Sequence, residues 1–532
     1  MTSLSPPRRR RASRRLPATL AGATAGALVV GLAALPAHAE SGAGAPLGTV
    51  ARTAGDARFE PGPCPRTADP IPDLERARCG TLTVPEKRSG HRGGRKKITL
   101  AVAIIPAVNR TAAPDPIVWL AGGPGDDAVS EIPMAVAGGL NRDRDVIFMS
   151  QRGTYSADPE LTCRNVDEFV ADNLDLVFGA PSTGRLHVEE TRKCHDRLVS
   201  RGVDLSAYNG TESSADYDGL RKALGIRQWN VFGISYGTDL ALQYMRLHPK
   251  GIRSVGIDGV LPPSLAGGAV TWKAAREGFD SIFETCAAQP ACNTRYPNLK
   301  ATFERLVVEL EARPVTTTVT VPGQPEPVKV VLDGGLLVNW LTFASHLAAG
   351  VPRSIDELAH GNPQRIAEQY AGGKLSPQAI GRVSHGLVFG IFCSEWTPFE
   401  SEEDVIRAGR SLFPSFPRSV LANAPLLSWM HADCRAWDVP AAPPSIRDVT
   451  VSDIPTLVLS GGFDAQTAPS SGPYAARTLS RSTAVTVPYV AHVVFADSSC
   501  AQTITRSFFN TPTAPDRSCL SGLQPPTFEI GP

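Results

Sequence analysis

The chain has 532 residues, of which 42% are hydrophobic and 20% charged, and this composition excludes wholesale disorder and permits a large core with more than one domain. The formal net charge of +1 depends on six arginines within residues 1–39, a segment with no acidic residue. Without it the chain has 47 basic and 52 acidic residues, which argues against nucleic acid as a partner.

An export signal is predicted at the amino terminus. The arginine-rich start is followed by an apolar run over 16–35 and by Ala-His-Ala at 37–39, the three-part pattern of a secretory signal peptide. We therefore expect a bacterial-type signal peptide over 1–39 that is cleaved before Glu40. The mature protein is then expected to be secreted and extracellular. A permanent membrane anchor is the alternative, since the run is near the length that spans a bilayer. After cleavage we expect no stable membrane insertion.

Ten cysteines are spread over the whole chain, and an even number in an exported protein predicts disulfides. Spacing alone does not fix their connectivity, but neighbouring cysteines suggest five short or moderate loops: Cys64–Cys79, Cys163–Cys194, Cys286–Cys292, Cys393–Cys434 and Cys500–Cys519. A zinc site is the competing interpretation, and the lack of any Cys-x-x-Cys pair argues against it. We expect neither a metal nor a cofactor.

The strand pattern predicts an α/β fold with a doubly wound, mostly parallel sheet. A flexible leader is predicted over 40–63, followed by two β-rich segments at 81–85 and 97–105 that are typical of an antiparallel pair. Short apolar runs flanked by Gly or Asp then indicate strands that are buried on both faces: 116–121, 145–150, 229–234, 253–258, 455–460 and 484–488. Helical patterns at 215–224 and 239–247 alternate with these strands, as right-handed crossovers require.

The alternation stops after the sixth of the core strands and resumes with the seventh. The segment between them is mainly helix-patterned, for example at 299–312, and contains a hairpin predicted from 315–321 and 327–332. We interpret 261–450 as a cap or lid domain inserted between the sixth and seventh core strands. The core domain is then made of 64–260 and 451–532.

Residues 233–237 read Gly-Ile-Ser-Tyr-Gly and lie directly between a predicted strand and a predicted helix. A tight turn of this kind, a nucleophile elbow, lifts the Ser235 hydroxyl off the sheet, and the two glycines leave room for the helix. A Gly/Ser turn without a catalytic role is the alternative. The elbow and the strand pattern together predict an α/β-hydrolase fold.

A serine hydroxyl needs a base, and in this fold the acid and the base follow the serine along the chain. Of the ten histidines, only His492 lies well downstream of the seventh strand, so elimination makes it the predicted base. Asp464 follows that strand and is the predicted acid, which would fix the imidazole tautomer and stabilise its cation. Asp453 and Asp497 are the rivals, but one precedes the strand and the other follows the histidine.

Two backbone amides are expected to form the oxyanion hole. One is that of Tyr236, at the start of the helix. The other is expected in the Gly-Gly-Pro-Gly sequence at 122–125, with Gly122 as the first choice, although this sequence is also an ordinary loop signal. Two roles are open for Thr467, a hydrogen bond near Asp464 or the cap of a turn.

These motifs resemble those of secreted α/β-hydrolases of the tripeptidyl aminopeptidase type, which are related to proline iminopeptidases and have a TAP-like C-terminal region. The resemblance covers most of the mature chain and rests on Cys-Gly-Thr-Leu-Thr-Val-Pro (79–85), Gly-Gly-Pro-Gly (122–125), Gln-Arg-Gly-Thr (151–154), Gly-Ile-Ser-Tyr-Gly-Thr (233–238), Gly-Phe-Asp-Ala-Gln-Thr-Ala-Pro (462–469) and His492. The resemblance implies that the protein releases short peptides, mainly tripeptides, from the free N-termini of peptides or proteins through an acyl-enzyme on Ser235. Relatives commonly have His before Gly-Gly-Pro-Gly and Asp before Gln-Arg-Gly, where this chain has Ala121 and Ser150.

An aminopeptidase must also bind the cationic amine of its substrate, and buried carboxylates suit this task. Glu395, beside Cys393 and Trp396, is the leading candidate, ahead of Asp126 and Asp127; a solvated or arginine-paired carboxylate is the alternative for Glu395. The competing function is a secreted carboxylesterase or lipase with the same triad, which would need an apolar acyl groove. A non-catalytic binding protein on this scaffold is a third hypothesis. In each case we expect a monomer.

Overall fold

The structure is a computed structural model that describes residues 46–89, 96–377, 379–423 and 425–531. The predicted signal peptide and its cleavage site before Glu40 lie outside the described residues. The strands are β1 (Arg52–Ala54), β2 (Ala57–Pro61), β3 (Arg78–Pro85), β4 (Lys97–Ile105), β5 (Ile117–Leu120), β6 (Val146–Met149), β7 (Ala157–Asp158), β8 (Trp229–Ile234), β9 (Ile252–Asp258), β10 (Val315–Val319), β11 (Val328–Leu332), β12 (Thr456–Gly461) and β13 (Ser482–Val487). The α-helices are α1 (Ile132–Ala137), α2 (Arg164–Asp172), α3 (Pro181–Ser200), α4 (Gly210–Ala223), α5 (Tyr236–Leu247), α6 (Gly268–Ala287), α7 (Pro290–Arg295), α8 (Leu299–Ala312), α9 (Gly334–Ala344), α10 (Val351–Ala359), α11 (Gln364–Leu375), α12 (His385–Ile391), α13 (Glu402–Leu412), α14 (Arg418–Asn423), α15 (Met430–Trp437), α16 (Ser471–Ala476), α17 (Val494–Asp497) and α18 (Ser499–Asn510).

The central sheet has the doubly wound architecture that the sequence predicts. Its strands lie in the order β1-β2-β3-β4-β6-β5-β8-β9-β12-β13, and β7 pairs with β4. The strands from β6 to β13 in this order pair in parallel, whereas β1 to β4 pair antiparallel with one another and β4 pairs antiparallel with β6. If β3 is counted as the first core strand, β9 and β12 are the sixth and seventh strands in the order in which they lie in the sheet. The cap is inserted between these two strands. The predicted α/β-hydrolase fold is confirmed.

Both faces of the parallel sheet are buried, because helices cover each of them. Val118 and Leu120 of β5 belong to a hydrophobic core that they share with Tyr217 of α4 and with α5. Trp119, which points to the opposite face, shares a second core with Phe508 of α18. This arrangement explains why the central strands are continuous apolar runs rather than alternating ones.

The sheet begins earlier in the chain than the sequence predicts. Ala57 and Phe59 of β2 are fully buried, whereas Arg58 and Glu60 between and after them are exposed. The strand pairs with β3, so it is an integral part of the sheet. The prediction of a flexible leader over 40–63 is therefore wrong for residues 52–61. The reason is that a period-two alternation buries one face of even a five-residue strand.

The cap has a hydrophobic core of its own, which is rich in packed aromatic rings: Trp272, Phe279, Phe303, Phe413 and Phe416. The predicted hairpin is present as the antiparallel pair of β10 and β11. The same core includes Phe463 and Ala491, which come from the loops after β12 and β13. The cap therefore packs directly against the loops that carry the predicted acid and base.

One helix of the predicted core segment packs against a helix of the predicted cap. α3 follows β7, inside the predicted core segment 64–260, and it packs against α15. Asp433 of α15 accepts a hydrogen bond from Thr191 Oγ1 at 2.8 Å and pairs with His187 Nδ1 at 3.1 Å. Leu198 of α3 and Trp437 of α15 also belong to the hydrophobic core that covers one face of the sheet.

All five predicted disulfides are present, so the predicted connectivity is confirmed. Five disulfides are typical of a protein that folds in an oxidising compartment outside the cytosol. None of the helices in the described part of the chain is both long and apolar enough to cross a membrane.

Candidate active site

Ser235 occupies a strained turn between β8 and α5. Its φ of 51° and ψ of −124° are unusual for a residue with a side chain, and its N–H donates to the Asp258 carbonyl oxygen at 2.9 Å. A Cβ at Gly233 would overlap the backbone of Gly237, and one at Gly237 would overlap the Leu120 carbonyl. The two glycines are thus required by close backbone packing, as the sequence predicts for a nucleophile elbow.

The predicted acid and base are in contact. His492 Nδ1 lies 2.9 Å from Asp464 Oδ2, and both side chains are buried. Thr467 Oγ1 donates to the same oxygen at 2.6 Å, which decides between the two roles considered for this residue. Since an ionised carboxylate only accepts hydrogen bonds, Nδ1 carries the ring proton and Nε2 is left as the basic nitrogen.

The charges of this pair stabilise each other. Burial alone would lower the pKa of His492, but the charge and hydrogen bond of Asp464 outweigh it and raise that pKa above the usual histidine value. Burial would likewise raise the pKa of Asp464, but the charge of His492 and the hydrogen bonds from His492 and Thr467 hold it below its usual value. An ion pair of this polarity is the electrostatic arrangement that a proton-accepting histidine needs.

The rival acids lie elsewhere. Asp497 pairs with His346 at 2.7 Å, and Asp453 is exposed ahead of β12. Ser235, Thr467 and His492 all line one cavity of about 980 Å³ between the core and the cap. The structure therefore brings the predicted nucleophile and base to the same cavity, at the carboxyl edge of the sheet.

Asp258 is a further site residue that the sequence analysis missed. Its buried carboxylate accepts hydrogen bonds from the N–H groups of Val494 at 3.0 Å and Phe495 at 2.7 Å, directly after His492. Burial raises the pKa of Asp258 to about 7. The available signal was its position at the carboxyl end of β9, one strand away from Ser235. This carboxylate anchors the segment that carries the imidazole.

The predicted oxyanion loop lies against the nucleophile. A Cβ built on Gly122 would be 3.1 Å from Ser235 Cβ. Gly123 also lines the cavity and has a φ of 98°, so its amide is a second candidate beside that of Gly122. Burial raises the pKa of the neighbouring Glu131 carboxyl well above its usual value. Tyr236, the first residue of α5, presents one of the N–H groups that a helix start leaves unpaired.

The Gln-Arg-Gly motif supports this loop from below. Gln151 Nε2 donates to the Ala121 carbonyl at 3.3 Å. Ser150 Oγ donates to Asp127 Oδ1 at 2.6 Å, and Ser156 N donates to Asp127 Oδ2 at 2.8 Å. Asp127 is therefore a structural residue, with both oxygens engaged. Asp126 differs, because it lines the cavity and its carboxylate has no hydrogen-bond partner among the described residues.

Glu395 is not in the cavity, so its predicted role as amine ligand is wrong. It is 1% exposed, and its two oxygens accept hydrogen bonds from Gly210 N at 2.6 Å and from Gln243 Nε2 at 3.0 Å. A π-helical turn over Phe392–Trp396 directs both of its end residues into the cavity wall, but turns Glu395 toward α4 and α5. Sequence proximity to Trp396 did not reveal on which side of this turn the carboxylate lies.

Comparison with known proteins agrees with the resemblance found in the sequence. Residues 420–519 match the family described as TAP-like protein, an α/β-hydrolase family. The chain is 29% identical over 194 residues to a tripeptidyl aminopeptidase of Streptomyces coelicolor, covering 35% of either chain. It is 30% identical over 159 residues to a probable proline iminopeptidase of the same organism, covering 28% of this chain and 49% of the relative. Each match thus spans less than half of the relative's length.

A solved structure of a proline iminopeptidase from Mycobacterium smegmatis aligns over 78% of this chain and 96% of its own, with 13% sequence identity and a TM-score of 0.37. The chain thus has the sheet of an α/β-hydrolase and a TAP-like segment at 420–519, and parts of its sequence are similar to tripeptidyl aminopeptidases and proline iminopeptidases.

Proposed function

We propose that this protein is a secreted serine exopeptidase that releases short peptides, mainly tripeptides, from free N-termini. The observation that carries the proposal is the buried His492–Asp464 pair, which shares one cavity with Ser235 on its strained turn. The names of the relatives support peptides as the substrate class. Five disulfides support the extracellular location, and N-terminal sequencing of exported protein, with Glu40 as the expected first residue, tests it.

In the proposed reaction, Ser235 Oγ attacks the scissile carbonyl carbon while His492 Nε2 takes its proton. Asp464 stabilises the resulting imidazolium, and the amides of Tyr236 and of either Gly122 or Gly123 hold the oxyanion. Collapse of the tetrahedral intermediate breaks the C–N bond, and His492 gives its proton to the leaving amine. His492 then deprotonates a water molecule that attacks the ester on Ser235, which releases the peptide and restores the hydroxyl.

Asp126 takes the place of Glu395 as the proposed amine ligand. Its carboxylate lies beside the nucleophile, since a Cβ on Gly122 would be 3.6 Å from Asp126 Oδ2 and 3.1 Å from Ser235 Cβ. Burial and the neighbouring charge of Asp127 raise the pKa of Asp126 to about 6, against the opposing effect of His492. The group is therefore mainly ionised at neutral pH, and a substrate ammonium would stabilise it.

The amine role is tested by comparing trialanine anilide with its N-acetylated form. We expect the free amine to be preferred in kcat/KM by about 10- to 100-fold, the effect of one charge-assisted hydrogen bond. Asp126→Asn should remove this preference, whereas Asp172→Asn, which changes an exposed carboxylate on α2, should not. Equal rates for the two substrates in the unmodified protein would contradict an aminopeptidase and favour the alternative, a carboxylesterase. The apolar side chains that line the cavity are compatible with that alternative.

A series of alanine anilides with one, two or three residues tests the length of the released peptide. The names of the relatives favour three. An amine held at Asp126 lies close to Ser235 and would favour one. The substrate with the highest kcat/KM decides between these lengths, and the same series in Asp126→Asn shows which of them depends on that carboxylate.

The proposed nucleophile and base are tested by Ser235→Ala and His492→Ala. Each should lower kcat by about 10,000-fold or more, as loss of a triad member does, with no change in melting temperature. Ser200→Ala and His360→Ala, both on the exposed surface, are the matched controls. A fluorophosphonate should label the unmodified protein and leave Ser235→Ala unlabelled. Near-normal turnover by either active-site variant would contradict the assignment.

A further inference from the structure

Lys374 of α11 lines the same cavity as Ser235 but contacts no anionic side chain in the described part of the chain. Its Nζ makes no hydrogen bond or ion pair with any residue in the described ranges, and its nearest aromatic contacts are the ring centroids of Tyr370 at 5.7 Å and Phe343 at 5.8 Å. Each cavity-lining histidine, in contrast, has a carboxylate partner: His187 with Asp433, His346 with Asp497, His385 with Asp167, and His492 with Asp464. Within the described ranges, Lys374 therefore presents to the cavity a positive charge that no anionic side chain contacts directly.

The surroundings of Lys374 favour an anion from outside the protein. Burial lowers the pKa of its ammonium, and the nearby charge of Asp167 only partly offsets this effect. Asp167 is itself engaged by His385 Nε2 at 2.6 Å and by Gly381 N at 2.8 Å. Contacts with aromatic faces attract the charge but leave the three N–H donors of the ammonium unused. An anionic acceptor would satisfy these donors and relieve the cost of burying the charge.

The cavity thus offers two unpaired charges of opposite sign to a ligand. Asp126 lies beside the nucleophile, and Lys374 lies in the cap next to Phe343, which also lines the cavity and is 47% exposed. A peptide with a free amine and a carboxylate farther along its chain has the complementary charge pattern. Lys374 also lies in the last turn of α11, where a cation stabilises the helix, but that role would not discriminate between ligands.

We propose that Lys374 binds a carboxylate of the peptide substrate and so selects short peptides with a negative charge distant from the amine. The inference rests on the proposed function, in that it takes a peptide as the ligand of this cavity. The carboxylate is either the free C-terminus of the peptide or an Asp or Glu side chain. Both present the same acceptor to the ammonium, and the experiment below separates them.

The test measures binding by calorimetry to the full chain carrying Ser235→Ala, so that no peptide is turned over. Three ligands are compared: tetra-alanine with a free C-terminus, tetra-alanine amide, and a tetrapeptide amide with one Glu in place of Ala. Each is titrated into this background and into the same background with Lys374→Met, Lys374→Arg or Lys300→Met. Lys300 is an exposed lysine of the cap that pairs with Asp280, and it controls for the loss of one positive charge.

We expect at least one carboxylate-bearing peptide to bind about 10-fold more tightly than tetra-alanine amide, the effect of one charge-assisted hydrogen bond. Lys374→Met should abolish this difference, and Lys374→Arg and Lys300→Met should retain it. A preference for the free C-terminus identifies one source of the carboxylate, and a preference for the Glu peptide identifies the other. Equal affinities in the unmodified site, no binding of any peptide, or a preference that survives Lys374→Met would overturn the proposal.

A failure of this inference can be distinguished from a failure of the peptidase assignment. If the unmodified protein hydrolyses only esters but the peptide preference that depends on Lys374 persists, the proposed function fails and the carboxylate site stands. If the protein cleaves the free-amine anilides but tetra-alanine and the Glu peptide bind no more tightly than tetra-alanine amide, the proposed function stands and the carboxylate site fails.

Discussion

Asp258 illustrates how a single buried carboxylate acts on the proposed base without touching its ring nitrogens. It accepts hydrogen bonds from the N–H groups of Val494 and Phe495, and so fixes the chain immediately after His492. Its negative charge also contributes to the raised pKa of His492, after burial and Asp464. Position and proton affinity of the imidazole thus depend on the same residue.

Asp258→Asn should therefore alter both the rate and the pH dependence. An amide side chain accepts through one oxygen only, so one of the two N–H groups loses its acceptor, and kcat/KM should fall by about 10- to 100-fold, as for a small displacement of a catalytic group. The base must be neutral to accept a proton, so kcat/KM rises with pH through the pKa of His492. Loss of the nearby negative charge lowers that pKa, and the acid limb of the kcat/KM profile should move to lower pH.

Asp453→Asn is the matched control, because Asp453 is exposed and lies just ahead of β12. In the unmodified protein the acid limb should lie above the ordinary histidine value of about 6.5, since the pKa of His492 is raised. An acid limb that stays in place in Asp258→Asn would contradict the electrostatic part of the argument, even if the rate fell.

The predicted nucleophile, acid and base are the residues whose assignment follows from chain order. Ser235, Asp464 and His492 were each marked by the end of a strand and by the order of nucleophile, acid and base. Glu395 was wrong because the direction of a side chain on a π-helical turn depends on tertiary packing. Lys374 could not be predicted at all, since only the folded cap shows that this residue lines the cavity and that no anionic side chain among the described residues contacts it.

At the level of elements, the same contrast appears between strongly and weakly patterned segments. β4, β8 and α8 have the bounds that the sequence predicts, because each has a long and unambiguous apolar pattern. β1 and β2 were missed, since three and five residues between Gly- and Pro-rich stretches give too short a pattern to stand out. Their place in the sheet is nevertheless defined by the pairing of β1 with β2 and of β2 with β3.

Phe59→Ala tests whether β2 is an integral part of the fold. Phe59 is fully buried between the sheet and its covering helix, so truncation should lower the free energy of unfolding by about 3 to 5 kcal/mol, the usual cost for a buried phenylalanine. Urea denaturation followed by circular dichroism measures this loss. Val50→Ala, at a site that is 48% exposed, is the control and should change stability little. A loss no greater than that of the control would restore the prediction of a flexible leader.

At the scale of the whole molecule, the disulfides close local loops rather than join distant parts of the chain. Their sequence separations are 15, 31, 6, 41 and 19 residues. The longest, Cys393–Cys434, ties the π-helical turn of the cavity wall to α15, which packs on α3. Each bridge therefore stabilises one region: two of them, Cys286–Cys292 and Cys393–Cys434, lie in the cap, and the other three lie in the predicted core segments.

Reduction should accordingly destabilise the protein in several increments. Loss of a bridge of this kind costs about 2 to 4 kcal/mol in the chain-entropy account, and the 41-residue loop of Cys393–Cys434 lies at the upper end of that range. Calorimetric scans with and without reductant should show a large fall in melting temperature.

The double variant Cys393→Ala with Cys434→Ala should show a smaller fall in melting temperature and a raised KM, because the turn that it frees carries Phe392 and Trp396 of the cavity wall. Alkylation of the denatured protein should modify no cysteine before reduction and all ten after it. Any thiol that reacts before reduction, or a melting temperature that reductant leaves unchanged, would contradict a stabilising role for the five bridges.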